Sequence, residues 1–257
     1  TLLFNMLEAV ALNANRKNGD LKLYESGNCY FYYAEKRSEE CPTAAYSEEY
    51  RLAMAVTGTA QPASWNAKPV KASFFTLRAM AEKLLRRFGI DIYALKAETL
   101  HDDLLSEALS MTLGNKELLR IGAVGAKVRR ALGVKQEVFY LEMNFDALVR
   151  STKKHRIAVE ELSKFPEVKR DLALLVDREV TFSALRDAAF AAERKLLKSV
   201  SLFDVYEGDK LPEGKKSYAL NFVLEDKTRT LDDRTIERVM AALARQFEQR
   251  CGAQVRC

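Results

Sequence analysis

Apolar residues recur at three- and four-residue spacing over the first stretch of the chain, where Leu2, Leu3, Met6, Leu7, Val10, Ala11 and Ala14 share a stripe. That period predicts an amphipathic helix, and Asn15, Asn18 and Gly19 end it. From Leu21 to Tyr33 the pattern turns to alternation rich in aromatics, which predicts a long strand broken near Gly27. Residues 35–49 are polar and acidic and read as a solvated connection. Arg51–Gly58 reads as a second strand, and Gln61–Val70, with two prolines and the single tryptophan, as a loop. Phe75, Leu77, Met80, Ala81, Leu84, Leu85 and Phe88 then mark a helix that Gly89 stops. Short strands are predicted at about 91–97, 107–113, 117–124 and 137–145, with a helix at Lys127–Leu132. This crowding predicts an antiparallel sheet flanked by helices, an α+β arrangement rather than a βαβ array.

A polar approach followed by proline, Ser163-Lys-Phe-Pro166, marks a boundary, so two domains are expected, 1–160 and 163–257. In the second, Asp171–Val176 is a strand. Thr181 caps a helix whose stripe is Phe182, Leu185, Ala188, Ala189, Ala192, Leu196 and Leu197. Val200–Tyr206 is the next strand, Gly208 to Gly214 a turn, and Ser217–Leu224 a third strand with Tyr218, Leu220, Phe222 and Leu224 on one side. Thr230-Leu-Asp-Asp233 fits a capping box ahead of a helix burying Ile236, Val239, Met240, Leu243, Ala244 and Phe247, and Ala253–Arg256 closes as a strand. The order βαββαβ predicts a ferredoxin-like sheet with both helices on one face. Sheets of this layout commonly bind single-stranded RNA on the open face by stacking bases on aromatics.

The composition narrows the function classes. The 257 residues are 48% hydrophobic and 30% charged, as in ordinary globular proteins. No apolar run approaches the ~20 residues of a bilayer span, and no signal-peptide pattern precedes the first helix, so a non-membrane, cytoplasmic protein is expected. Opening at Thr1 directly into a helix suggests a fragment of a longer chain. The net charge of +5 permits an acidic partner without demanding one, and residues 164–257 hold 18 Lys/Arg against 16 Asp/Glu. Cys29, Cys41, Cys251 and Cys257 form no CxxC pair and the only histidines are His101 and His155, which argues against zinc and for reduced thiols. No nucleophile lies near a histidine in an activating pattern, so no catalytic residue is expected. His101 falls in a polar turn, Thr99–Asp103, where Thr99 can cap over Asp102. Gly122-Ala-Val-Gly125 before a helix has the form of a phosphate-binding turn, although glycines serve any tight strand-to-helix turn.

The chemistry-bearing constellation is Asp204, Tyr206 and Ser217: an acceptor, an aromatic plane and a hydroxyl that together can hold one unstacked base. Lys210, Lys215 and Lys216 flank it and can track a phosphate backbone. Each has a plainer reading: Asp204 as a turn cap, Tyr206 as a half-buried strand aromatic, Ser217 as a strand start, the lysines as a solvated loop. Arg170 and Asp171 read as fixing a turn or an interdomain contact. Two rival classes remain. A ferredoxin-like small-molecule sensor or interaction module without RNA binding would want a glycine-rich ligand loop, which is missing. An acylphosphatase-like enzyme would want loop glycines that Asp177-Arg-Glu179 lacks.

The motifs Phe165-Pro-x-x-x-Arg170-Asp171, Phe203-Asp-x-Tyr206-x-Gly208, Pro212-Glu-Gly-x-Lys-Ser217 and Thr230-Leu231 resemble the ferredoxin-fold anticodon-binding domain that ends the β subunit of bacterial phenylalanyl-tRNA synthetases. Leu3–Arg16, Leu21–Phe31 and Gly122–Asp146 resemble the catalytic-like module of the same subunit, so the resemblance covers nearly the whole chain. It implies a class II synthetase-like antiparallel sheet that has lost its chemistry, N-terminally incomplete here, followed by the anticodon-binding domain. It implies that Asp204, Tyr206 and Ser217 meet the first anticodon base of phenylalanine tRNA, a guanine. A carboxylate accepts from guanine N1–H and the exocyclic amine, a pattern adenine does not offer, and stacking on Tyr206 is worth about 1–3 kcal/mol. It implies a catalytic α subunit as partner in an (αβ)2 tetramer, with ATP and Mg²⁺ used by the whole enzyme and none held by this fragment. An active class II site clamps the ATP α-phosphate with a strand arginine; on the resemblance that position is Leu23, and Arg129 and Arg130 lie where a second arginine can remain.

Overall fold

The computed structural model describes residues 1–153, 158, 159 and 161–256; His155 and Cys257 fall outside them. The chain divides into two units, Thr1–Ile157 and Ala158–Cys257.

In the first unit the opening stripe forms helix α1 (Leu3–Asn15), burying Leu3, Met6, Leu7 and Val10. Strand β1 (Leu21–Tyr32) runs without interruption through Gly27, which pairs in register with Arg51 of β2 (Tyr46–Thr57). The expected break is therefore absent, and Leu2 packs over the glycine, 3.6 Å from where its Cβ would stand. Strand β2 also begins five residues before the expected start, since residues 46–50 alternate between exposed and half-buried positions on the ladder. Their polarity reports solvent on that part of the sheet, not a loop. Residues 59–71 carry a small hairpin, β3 (Thr59–Gln61) against β4 (Val70–Lys71). Helix α2 (Phe74–Arg87) opens on Ser73, which accepts from Thr76 N in a capping box, and the helix stops before Gly89, φ +73°.

Strands β5 (Lys96–Leu100), β6 (Leu105–Leu113), β7 (Lys116–Val124) and β8 (Val138–Asn144) complete a six-stranded antiparallel sheet in the order β1-β2-β8-β7-β6-β5. The strand expected at 91–97 lies later, because Asp91 caps a 3-10 turn over Ile92–Ala94. Helix α3 (Ala126–Ala131) follows β7. A helix the periodicity did not show, α4 (Phe145–Thr152), starts directly from β8 because Asn144 accepts from Ala147 N. The central strand β8 is buried on both faces. Phe139, Leu141 and Met143 pack with Leu77, Ala81 and Leu85 of α2 and Leu148 of α4. Val138 and Tyr140 pack on the other face with Leu3, Met6, Leu7 and Val10 of α1.

The second unit runs β9 (Val168–Asp177), α5 (Phe182–Ala192), β10 (Leu197–Tyr206), β11 (Lys215–Leu224), α6 (Asp233–Cys251), β12 (Gln254–Arg256). Its strands lie antiparallel in the order β10-β11-β9-β12, the expected ferredoxin-like topology. Thr181 caps α5 by accepting from Ala184 N. The helix ends at Ala192, so Leu196 and Leu197 belong to the turn and strand after it, where Leu197 still enters the core. The cap of α6 is Asp232, which accepts from Thr235 N, not the Thr230 that the capping-box pattern selects. Leu231 and Ile236 occupy the positions of a hydrophobic staple and are both buried, fixing this choice. Leu174, Val176, Leu220, Phe222 and Leu224 meet Leu185, Ala189, Val239, Leu243 and Phe247 in one core, so both helices cover the same face of the sheet.

Candidate nucleic-acid interface

The alternation along β11 decides which residues the uncovered face carries. Tyr218, Leu220 and Phe222 point to the helices, so Ser217, Ala219 and Asn221 point away from them. Register then assigns the neighbours: Leu175, Ala173 and Asp171 of β9 lie opposite these three, and Gln254 and Arg256 of β12 lie opposite Leu175 and Ala173. On the other side Tyr206 pairs with Ser217 and Asp204 with Ala219, so Asp204, Tyr206 and Ser217 share the open face.

A regular strand would not have brought them there. Leu202 pairs with Leu220 on the core face, and strict alternation would turn Asp204 to the core as well. The register slips between Leu202 and Asp204, leaving Phe203 as an extra, unpaired residue. This β-bulge rephases the strand so that the carboxylate and the phenol both face outward. Phe203 itself is 60% exposed.

Tyr206 is 40% exposed, and its phenol end lies against Gly208: a Cβ at that glycine would stand 2.5 Å from Tyr206 Oη and 2.6 Å from Cζ. No real Cβ approaches that closely, so the absence of a side chain at Gly208 is what lets the ring fold onto the turn. Ser217 is only 7% exposed, hemmed between Tyr206 and Leu175, and makes a hydroxyl floor rather than a protruding group. Asp204 is exposed. The turn beyond is held by Leu211 N donating to Gly208 O and Arg178 N to Gly214 O, with Gly214 at φ +76°.

The three lysines do not share one role. Lys210 is exposed on the turn. Lys215 lies on the open face but pairs with Asp177 at 2.7 Å. Lys216 alternates to the helix side, is buried, and places its ammonium over the Tyr218 ring at 4.6 Å. Its position follows from the same period-two pattern that turns Ser217 outward. Asp171 accepts from Asn221 Nδ2 at 2.6 Å and Arg170 donates to Lys169 O, so both are used within the sheet. Gln254 and Arg256, which drew no attention in the sequence, join the open face; the only signal was their alternation in a three-residue strand.

In the first unit the charged groups that face α1 are paired, while the buried Tyr140 hydroxyl beside them has no hydrogen-bond partner among the described residues. Glu142 is buried, accepts from Leu2 N at 3.0 Å and from Thr1 Oγ1 at 2.9 Å, and lies 3.3 Å from Arg51 Nη1. Arg51 also donates to Glu49, which Asn144 Nδ2 reaches too. Burial disfavours the Arg51 charge, but the Glu49 hydrogen bond and the nearby Glu142 outweigh it and raise its pKa. Burial, with Glu142 beside it, pushes the Tyr140 phenol far above its ordinary value. Leu23 is half-buried against this core. Arg129 donates to Val124 O, Lys135 O and Gln136 O, and Arg130 to Ala126 O, so both close the turn after β7. Gly122 is explained by Ala108, whose Cβ would stand 2.7 Å from a Cβ placed there, and Gly125 N donates to Leu104 O. The glycine turn thus serves packing. Asp102, expected under a cap from Thr99, instead accepts from Leu104 N while Thr99 lies within β5.

Comparison with known proteins adds to this geometry. Residues 163–256 match the family described as ferredoxin-fold anticodon binding domain, and residues 1–145 the family described as phenylalanyl tRNA synthetase beta chain CLM domain. The chain is similar to proteins named phenylalanine–tRNA ligase beta subunit. The one from Bacteroides fragilis is 45% identical over 257 residues, that is 100% of this chain and 31% of the relative. The one from Porphyromonas gingivalis is 41% identical over the same span and share, and that from Geobacillus kaustophilus 33% identical over 96% of this chain and 30% of its own length. The chain therefore spans about a third of these relatives. The family of the first unit covers more than half of the sequence and the anticodon-binding family most of the rest, and on these matches the chain belongs to the phenylalanyl-tRNA synthetase β-chain family.

Proposed function

We propose that this chain is the part of a phenylalanine–tRNA ligase β subunit that supports a catalytic α subunit and reads the anticodon of phenylalanine tRNA. The observation that carries this reading is the bulge at Phe203, which turns Asp204 and Tyr206 to the face of Ser217 in a unit of the anticodon-binding family. Tyr206 stacks on the first anticodon base, Asp204 accepts from the guanine edge, and Ser217 contacts the base or sugar from the floor. Among the lysines, Lys210 is free to follow the backbone, Lys215 shares its charge with Asp177, and Lys216 acts through the fold. Domain 1–160 acts as the scaffold for the α subunit in an (αβ)2 assembly, and domain 163–257 as the RNA reader, in the cytoplasm. Among the described residues no helix is long and apolar enough to cross a membrane.

ATP and Mg²⁺ belong to the catalytic subunit on this reading. The first unit's residues do not fit a nucleotide: Leu23 carries no charge, Arg51 is spent on Glu49 and Glu142, and Arg129 on backbone carbonyls. Purified chain titrated with ATP in a calorimeter should give no heat of binding, and micromolar binding would overturn the scaffold assignment. For the anticodon role, Tyr206→Ala and Asp204→Ala in the whole enzyme should raise KM for tRNA while ATP–pyrophosphate exchange stays nearly unchanged. An equal fall in both activities would sink it.

A further inference from the structure

One stretch of this protein is markedly more basic than the rest. Residues 59–87, the β3–β4 hairpin and α2, hold six Lys/Arg and one Asp/Glu, a local excess of five, while the remainder of the chain holds 35 of each and nets to zero. The same stretch offers two large aromatic side chains to solvent. Trp65, the only tryptophan, is 96% exposed at the hairpin tip, and Phe75, at the start of α2, is 73% exposed.

The hairpin presents Trp65 on a fixed backbone. Ser64 N donates to Ala67 O and Ala67 N to Ser64 O, and Ser64 Oγ donates to Asn66 Oδ1, closing a turn with Trp65 and Asn66 at its centre. Its base is tied to the sheet by Thr59 N to Asp20 Oδ1, Lys22 Nζ to Ala60 O, and Ala72 N to Gly58 O. A two-stranded hairpin is marginal by itself, so these anchors are what let it stand out from the sheet. Lys68 and Lys71 lie on its returning arm, both exposed. Helix α2 then offers the same residue types: Phe75, Lys83 and Arg87, with Ala79 between the first two, share the exposed stripe opposite buried Leu77, Ala81 and Leu85. The single acid, Glu82, is engaged with Arg86.

An aromatic plane offered to solvent among unopposed cations is the pairing that holds a nucleic-acid strand: the plane takes an unstacked base and the cations take phosphates. An arm that carries cations and no acid is better complemented by a uniformly anionic strand than by a protein surface of mixed charge. We propose that the β3–β4 hairpin and the outer stripe of α2 form a second RNA-binding surface, on the first unit, in which Trp65 stacks on an unpaired base and Lys68, Lys71, Lys83 and Arg87 follow the backbone. This surface does not depend on Asp204 and Tyr206, and it contacts RNA outside the anticodon.

Because Trp65 is the only tryptophan, its emission reports on this surface alone. The full chain is titrated with phenylalanine tRNA transcript, and in parallel with a hairpin oligonucleotide of the tRNA's acceptor half, which has no anticodon. Both should quench Trp65 saturably. K68E/K71E, at exposed positions, should weaken the quench at least about ten-fold and flatten its dependence on log salt concentration by roughly two. D204A/Y206A should leave the quench by the acceptor-half hairpin unchanged. Emission that stays constant up to about 100 µM of either RNA, the upper range of non-specific binding, overturns the proposal. So does a quench indifferent to K68E/K71E, or one produced by the catalytic subunit and not by RNA, which would make the hairpin a protein-docking arm.

Discussion

Tyr206 and Gly208 are a single device, and the glycine's role is visible only in three dimensions. In the sequence Gly208 reads as the opening of a turn, yet its backbone is not in the left-handed region; it is small because the Tyr206 phenol occupies the space of its Cβ. Gly208→Ala should therefore leave the fold intact, since the turn's backbone can be adopted by alanine, but lift the ring off its seat. On the proposed anticodon reading the loss approaches that of Tyr206→Leu, which removes about 1–3 kcal/mol of stacking, or roughly 5- to 150-fold in tRNA affinity. Thermal melting and tRNA binding measured on the same samples check this: unchanged melting with weakened binding is the expected result, and unchanged binding shows that the seat is irrelevant. A second residue-scale test lies in the first unit. Arg51→Met strands the buried Glu142 carboxylate beside Tyr140, which should cost about 3–5 kcal/mol in urea unfolding. Adding Glu142→Gln removes the charge while keeping an acceptor for Leu2 N, so the double variant should recover most of that loss.

At the scale of elements, strong periodicity was legible and its interruptions were not. The stripe of α1 and the alternation of β11 each follow from side-chain spacing, because burial on one face outweighs every other influence on these elements, and the stop of α2 follows from Gly89, whose backbone takes the left-handed conformation that glycine favours. The bulge at Phe203 was hidden because it inserts one residue into an alternating run whose total apolar content is unaltered, and only the partner strand exposes the slip. The same holds for Lys216, which looked like a loop cation and is a buried one because it alternates with Ser217. Helix α4 was hidden for a different reason: it starts within one residue of a strand and has only two buried positions, too few to register a period. The cap of α6 shows local chemistry deciding between neighbours. Asp232, not Thr230, takes the Thr235 amide, and hydrogen bonds from the Thr235 side chain and backbone hold its carboxyl below the usual value of 3.8. A depressed folded-state pKa contributes stability that is present above the unfolded value and is lost as pH falls through the folded one. Asp232→Ala should thus lower the melting temperature at pH 7, and the gap from the parent should narrow as the pH falls below the carboxyl's usual value of 3.8 and through its lowered folded-state value. Asp232→Asn, still an acceptor, should melt close to the parent at pH 7; a constant gap for Asp232→Ala across this range would mean that the carboxylate is not the cap.

At the scale of the molecule, each unit closes its own core. All residues of the cluster around Phe222 and Phe247 fall between Val168 and Ala253, and those of the two clusters astride the six-stranded sheet between Leu2 and Leu148. In the sequence only the polar run ending at Pro166 marks this division, and its physical reason is that each amphipathic helix finds its sheet face within its own unit. Burial of apolar surface is the main drive to fold, so a unit with a complete core needs no partner to do so. Residues 158–257 expressed alone should therefore unfold in one cooperative transition, and the whole chain in two, separable by calorimetry. Leu243→Ala, which empties a fully buried position in α6, should lower only the transition that the isolated fragment shares, by about 2–5 kcal/mol. If that substitution shifts both transitions equally, the two units fold as one body and the independence argued from their cores is wrong. If only one moves, the isolated unit becomes the reagent for anticodon binding, because its RNA affinity can then be measured without the basic hairpin of the first.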